Sequence, residues 1–334
     1  MRYVVIGAGA VGGTIGGQLC ADGHEVVLVA RGEHARVMAS DGLTLLTPEG
    51  TSTVRPPVVT GPQELVAAED GLREDDVLVL AVKGQDTSAA VDAWAQVPLV
   101  TGGTAAERLP LLCAQNGVAN EPAAARVFTR VHGVCVWLPA THLQPGVVAA
   151  EGEPYRGVLH LGRWPEGADE TDHQVSADLQ ASGFLAPVRE DVMRWKYAKL
   201  LGNLANAVEA LVGSLQGEDA RDLAAQARSE GEQALAAAGI GFATPEEEKT
   251  QPRSRLGEIP GHQRGGGSSW QSLQRGTGSI EVDYLNGEIV ALGRAHAVAT
   301  PVNAALVELA GRAAREGFGP GAFSVDQVRA AAGA

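Results

Sequence analysis

Cysteine is scarce in this chain: Cys20, Cys113 and Cys135 are all that 334 residues hold. Three scattered thiols, without metal-ligand spacing, exclude a disulfide framework and give no reason to expect a metal. They read as buried free thiols of a reducing compartment. Basic residues are also in deficit, with 26 Lys plus Arg against 40 Asp plus Glu and a formal charge of -14. Phosphate backbones need a basic footprint, so nucleic acid is excluded as a partner. One small anion held by a few local cations is not. No apolar run reaches the length of a membrane-spanning helix. The short apolar stretch Tyr3 to Ile6 passes straight into glycines, unlike the core of a signal peptide. The expectation is a cytoplasmic protein with no membrane partner and no internal repeat.

What is present is an ordinary globular composition, 45% hydrophobic and 20% charged, in a chain long enough for two cored domains. Tyr3-Val4-Val5-Ile6, Glu25 to Val29, Val77 to Val82 and Leu111-Leu112-Cys113 are short apolar runs separated by helix-like stretches. Runs of this kind predict strands of a parallel sheet covered on both faces. From about Arg130 to Leu161 the pattern turns strand-rich with Pro and Gly turns, which predicts antiparallel additions closing the domain. Beyond about Arg189 the strand signal is gone. Helices are predicted over Arg194 to Val212, over Glu218 to Ala238, after Gly278 and after Pro301, with Thr300 as cap and Pro301 at the first helical position. The fold class is therefore α/β: a Rossmann-like domain over 1–188 and an all-helical domain over 189–334. Thr244 to Gly267 is polar and reads as a long loop, either a lid or disordered.

Gly7-Ala8-Gly9-Ala10-Val11-Gly12 follows the first strand and opens a helix. In that place G-x-G-x-x-G has a mechanical meaning: Gly7 makes the tight turn, Gly9 lets backbone approach a pyrophosphate, and Gly12 lets helix and strand pack closely. The helix N-terminus adds N–H donors and a positive dipole end. A dinucleotide cofactor is expected. At the end of the second strand, Val29-Ala30-Arg31-Gly32 lacks the acid that would bond a ribose 2′-hydroxyl and carries a cation beside that place. This suits a 2′-phosphate, hence NADP(H); the alternative is that Arg31 is a solvated surface charge. Lys83 and Asn116 end the third and fourth strong strands on the side where ligands sit. Either also serves as an ordinary strand end or turn residue.

In the helical half, Asn203 lies about 40° and Asn206 about 20° from Lys199 around a helix, on opposite sides. The three share one narrow face, with Leu200, Leu201, Leu204, Val208 and Leu211 mostly opposite. Asn is a poor mid-helix residue, so two of them suggest a polar seam facing something. Downstream, Ser268-Ser269-Trp270-Gln271 and Glu281-Val282-Asp283-Tyr284-Leu285-Asn286-Gly287 carry serines and acids that fit caps and a first helical turn as well as a site.

Taken in order, these motifs resemble the ketopantoate reductase family. The resemblance rests on the glycine motif, Arg31, Lys83, Gln115-Asn116-Gly117, Trp195 with Lys199 and Asn203, the paired serines, and Glu281-Val-Asp-Tyr-Leu-Asn-Gly. It spans nearly the whole chain. It implies NADPH-dependent reduction of a small 2-oxo acid, ketopantoate first, in a cleft between the two domains. On the matching positions, Lys199 would be the general acid and Glu281 would orient Lys199 and substrate. Asn116, Asn203 and Ser268 or Ser269 would hold substrate; Gly7 to Gly12, Arg31, Lys83 and Asn116 would hold the cofactor. Two departures touch the substrate side. Ala207 stands where the family often has a second Asn, leaving Asn206 to serve instead, and Trp270-Gln-Ser-Leu replaces the usual Met-Leu-Gln-Asp. A relative acting on another 2-oxo acid and a non-catalytic NADP(H) sensor remain alternatives. No oligomeric state is readable; a homodimer through the helical domain is carried as an expectation.

Overall fold

The structure is a computed structural model and describes residues 1–334 except Asp70, Arg253, Thr277 and Ala334. The chain divides into two compact units. One comprises Met1–Asn116, Asn120–Trp195 and Pro245–Gln263; the other comprises Gly117–Ala119, Lys196–Thr244 and Arg264–Ala334.

The first unit is built on a seven-stranded sheet. Its strands are β1 (Arg2–Ile6) and β2 (Glu25–Val29), then, beyond the β3–β4 hairpin (Leu43–Thr47 and Gly50–Val54), β5 (Val58–Val59), β6 (Asp76–Leu80), β7 (Leu111–Cys113) and β8 (Val131–Trp137). The sheet is completed by β12 (Val158–Arg163), which follows β9 (Ala140–Gln144), β10 (Val147–Ala150) and β11 (Gly152–Glu153). The spatial order is β12-β8-β7-β6-β1-β2-β5, parallel except for β12. Val5 sits between Leu28 of β2 and Val79 of β6. The chain thus starts in the middle, winds out to β5, then returns to β6 and winds the other way. That reversal between β1 and β6 is where a doubly wound sheet opens a crevice at its carboxyl ends. The four apolar runs of the sequence are four of these strands, and burial on both faces explains why they show no alternation.

A second, four-stranded sheet has the order β4-β3-β10-β9. Here the fold departs from expectation. Of the strands after Arg130, β8 joins the main sheet in parallel and only β12 closes it antiparallel, while β9 and β10 leave to pair with the β3–β4 hairpin. That hairpin was invisible in the sequence because β4, Gly-Thr-Ser-Thr-Val, is polar and largely exposed.

Helix α1 (Ala10–Ala21) lies between the two sheets, which explains its glycines. A Cβ on Gly16 would lie 2.6 Å from Leu28 and 3.1 Å from Val5 of the main sheet. One on Gly17 would lie 2.7 Å from Leu45 of the other. Around this core, α2 (Gly32–Asp41), α3 (Pro62–Glu69), α4 (Thr87–Ala95), α5 (Ala105–Arg108), α6 (Asn120–Ala124) and α7 (Glu170–Ala181) complete the unit. At its floor the Arg2 guanidinium donates twice to Asp76, at 2.7 Å each, with both side chains buried. Cys113 and Cys135 are buried as expected, whereas Cys20 is half-buried.

The polar stretch 244–267 is ordered where described. It forms α11 (Pro245–Lys249) and β13 (Arg255–Leu256), which pairs with β11, and its middle counts with the first unit. Glu247 receives Arg194, Ser254 donates to the Tyr155 carbonyl, and Gly257 donates to that of Glu151.

The second unit is helical. Helix α8 (Val192–Asn203) leads into it and continues as α9 (Ala205–Val212), followed by α10 (Glu218–Ala237), α12 (Ser268–Arg275), α13 (Asn286–Ala295), α14 (Pro301–Glu316) and α15 (Val325–Ala332). The helix predicted over Arg194 to Val212 is thus divided at Leu204. Leu200, Leu201, Leu204, Val208 and Leu211 are fully or almost fully buried, as their spacing requires.

Candidate functional site

At the crevice of the main sheet lies a cavity of about 380 Å³. Its floor is the end of β1 with Gly7, Ala8 and Gly9; one wall is Val29 to Arg31 with His34 and Thr60 to Pro62. The other is Ala81 to Lys83 with Asp86 and the α4 residues Ala89, Ala90, Ala93 and Trp94.

Each motif glycine has its own reason. Gly7 has φ +99°, and a Cβ there would lie 2.9 Å from the Val82 amide. A Cβ on Gly12 would lie 2.2 Å from the Gly7 carbonyl and 2.9 Å from Ala81, so the first turn of α1 touches the strand ends only because this side chain is absent. Gly9 caps α1 with φ -74°, and a Cβ on it would meet nothing within 4 Å. The space over Gly9 is therefore open to a ligand, and a dinucleotide pyrophosphate fits this cradle. Of the other predicted cofactor residues, Arg31 and Lys83 line the cavity, while Ala10, Val11 and Gly12 form the first turn of α1 behind it.

Asn116 lies three residues beyond β7, half-buried, and its carbonyl accepts from the Asn120 amide at 2.8 Å. Its loop is tied to the β6–α4 connection. Gln115 donates at 2.8 Å to both the Val82 carbonyl and Thr87 Oγ1, and Thr87 donates to Asn120 Oδ1 at 2.8 Å. Thr87, Asn120 and His34 stand in no sequence motif, and Gln115 enters only within Gln115-Asn116-Gly117, without its bonding role. Each works through a partner far along the chain, so local pattern carries no signal of the pairing.

Lys199, Asn203, Asn206, Ser268, Ser269 and Glu281 belong to the second unit. Lys199 is half-buried and Asn203 buried, one helical turn apart on α8. Asn206 lies on α9, beyond Leu204, whose backbone keeps helical angles of φ -59° and ψ -31°. The Asn206 amide oxygen lies 3.3 Å from where a Cβ on Gly267 would stand, beside the start of α12. Glu209 of α9 accepts from the Gly267 amide at 2.8 Å and so caps that helix start. Ser268 and Ser269 are in its first turn, Ser268 half-buried and Ser269 buried; neither is the cap, which is Gly267. The glycine run has a packing reason, since the Trp270 indole lies against the backbone of Gly265 and Gly266.

Glu281 opens a short 3-10 turn, Glu281–Tyr284, ahead of α13 and is half-buried. Asn286, the first residue of α13, donates from its buried side-chain amide to the Leu204 carbonyl at 3.2 Å and to Asn303 at 2.9 Å. Asn303 in turn donates to the Ala227 carbonyl and to Glu230, which accepts the first amides of α14. The α8–α9 junction and the starts of α13 and α14 are thus joined through one hydrogen-bonded chain. Burial raises the carboxyl pKa of Glu288, in the first turn of α13.

Elsewhere among the described residues, His132, Asp169 and Asp172 bring ligand-type atoms together. Asp169 and Asp172 form the capping box of α7, His132 Nδ1 is 2.8 Å from Asp172, and Arg163 approaches Asp169 at 3.8 Å. An ion-paired helix start accounts for that cluster.

The doubly wound sheet, the glycine turn and the cavity define the class, a Rossmann-like α/β domain followed by a helical one. Residues 3–166 match the family model described as Ketopantoate reductase PanE/ApbA, and residues 191–314 match the model of its C-terminal part. The chain belongs to the ketopantoate reductase family. It is 27% identical to the 2-dehydropantoate 2-reductase of Pyrococcus horikoshii, over 96% of this chain and 99% of that one. It is 28% identical to that of Halobacterium salinarum, over 95% and 100%. Among solved structures, a PanE/ApbA family ketopantoate reductase from Ralstonia eutropha JMP134 superposes with a TM-score of 0.75 at 26% identity, covering 95% of this chain and 99% of that one. A D-mandelate dehydrogenase in a ternary structure with NADH and anilino(oxo)acetate shares the fold, with a TM-score of 0.78 at 22% identity and the same coverage.

Proposed function

We propose that this protein catalyses the NADPH-dependent reduction of 2-dehydropantoate to pantoate, a step of pantothenate synthesis, in the cytoplasm. The observation that carries the proposal is the family match over both halves, and the resemblance of the sequence around Lys199 and Glu281 to the family's motifs supports it. Residues 1–188 serve as the cofactor domain and 189–334 as the substrate domain. Gly7 to Gly12 receive the pyrophosphate, Arg31 and Lys83 attract the 2′-phosphate, and the missing acid after β2 removes the usual reason to prefer NADH. The cofactor supplies the hydride when bound. Lys199, protonated, donates a hydrogen bond from Nζ to the ketone oxygen and delivers the proton as the alkoxide forms. Glu281 orients Lys199 and the substrate, while Asn116, Asn203, Asn206 and the Ser268–Ser269 turn hold the substrate's hydroxyl and carboxylate.

A second reading, reduction of a different 2-oxo acid, is favoured by the buried Ala207 in place of an amide side chain. Sharing a fold with a mandelate dehydrogenase leaves the choice of substrate to side chains. The test is turnover of a panel of 2-oxo acids with NADPH and with NADH. Preferred use of 2-dehydropantoate with NADPH supports the proposal. Preference for another acid selects the second reading, and preference for NADH removes the role given to Arg31.

A further inference from the structure

His34 carries a role that neither the motif nor the family match assigns. It stands three residues after Arg31 in the first turn of α2, half-buried, and forms part of the wall of the cofactor cavity. Both ring nitrogens are engaged by backbone. The Gly146 amide donates to Nδ1 at 2.9 Å, and Nε2 lies 2.7 Å from the Ala8 carbonyl. An amide only donates and a carbonyl only accepts, so the two partners fix the tautomer: Nδ1 is bare and the Nε2 proton goes to Ala8.

Ala8 is the residue between Gly7 and Gly9, and its own amide is held by the Val29 carbonyl at 3.0 Å. With the carbonyl tied to His34, the peptide joining Ala8 and Gly9 is fixed in orientation. A trans peptide points its N–H opposite its C=O, so directing the Ala8 carbonyl at His34 directs the Gly9 amide the other way. The far side of the ring is anchored in the second sheet, by Gly146 at the turn between β9 and β10, and His142 of β9 packs on it with centroids 4.3 Å apart.

We propose that His34 is a positioning residue for the dinucleotide: it holds the Ala8–Gly9 peptide in the orientation that presents the Gly9 amide to the pyrophosphate. This rests on the reading of the cavity as the NADP(H) site. The role is one of preorganisation, so its loss falls on cofactor binding and leaves the chemical step alone.

Two isosteric variants separate the two bonds of the ring. His34→Gln keeps a donor near the Nε2 position and so the tie to Ala8; His34→Asn keeps an acceptor near Nδ1 and so the tie to Gly146. The measurements are the Kd of NADPH by fluorescence titration, its KM, the kcat at saturating NADPH, and the melting temperature. The expected result is a Kd and KM raised about tenfold in His34→Asn and His34→Ala, with His34→Gln close to wild type and kcat unchanged in all three. A role confined to holding the second sheet predicts the opposite order, with His34→Gln the worse variant, and overturns the inference. Equal NADPH affinity in all variants overturns it too. Should wild type itself fail to bind NADPH, the reading of the cavity falls instead.

Discussion

Gly9 and Gly12 are both glycines of one motif, yet the surroundings of each give them different sensitivities. At Gly9 the backbone is in a region any residue adopts and the added Cβ has open space. Gly9→Ala is expected to melt within about 0.5 kcal/mol of wild type and to bind NADPH at least about tenfold more weakly, because the methyl occupies the approach to the pyrophosphate. Gly12→Ala drives a Cβ into the Gly7 carbonyl and is expected to cost roughly 1–3 kcal/mol or more of stability. Thermal melts beside NADPH titrations check both. His160 makes a prediction about pH. Burial, and then the charge of Arg189, lower its pKa from the ordinary 6.5 to about 3. Between those values the unfolded chain takes up a proton that the folded chain refuses. Its share of stability is therefore complete above pH 6.5 and is lost at about 1.4 kcal/mol per pH unit as pH falls toward 3. His160→Phe, between Trp137 and Trp195, is expected to flatten the acid limb of stability against pH; an unchanged slope contradicts it. At this scale the glycine motif was legible because its spacing and its place directly after an apolar strand are local. The bonds of His34 and Gln115 were not, since their partners lie 26 to 112 and 28 to 33 residues away.

Between elements, the division of the Lys199 helix at Leu204 is the clearest departure from what periodicity foresaw. The hydrophobic spacing runs unbroken from Leu200 to Leu211, so a reading by period sees one helix. What marks the break is Asn286, some eighty residues later, taking the Leu204 carbonyl. Asn286→Leu leaves that carbonyl and Asn303 Oδ1 without this donor in a buried setting, at a cost of about 1–3 kcal/mol. A denaturant titration measures it, and a midpoint equal to wild type contradicts the assignment. The start of α12 depends likewise on Glu209. Glu209→Ala is expected to lose about 1 kcal/mol and to loosen the serine turn, seen as faster amide exchange at Gly267. The second sheet escaped the sequence for the same reason as the break. A hairpin at 43–54 with one polar strand declares itself a strand pair only once β10 lies beside it.

For the molecule as a whole, fold class was legible because buried parallel strands and amphipathic helices write different periods into the chain. The strand order follows once β1 is central and its neighbours wind outward in both directions. The net charge of -14 makes local cations the electrostatic feature to explain, and Arg31 and Lys83 both face the cavity. The proposed chemistry adds Lys199 in the helical unit. The most direct test compares NADPH oxidation in the presence of 2-dehydropantoate by wild type and by Lys199→Ala, with NADPH affinity measured alongside. The account predicts rapid oxidation by wild type, a kcat lower by about 10²- to 10⁴-fold in the variant, and equal NADPH binding by both. Turnover by Lys199→Ala at the wild-type rate would contradict it.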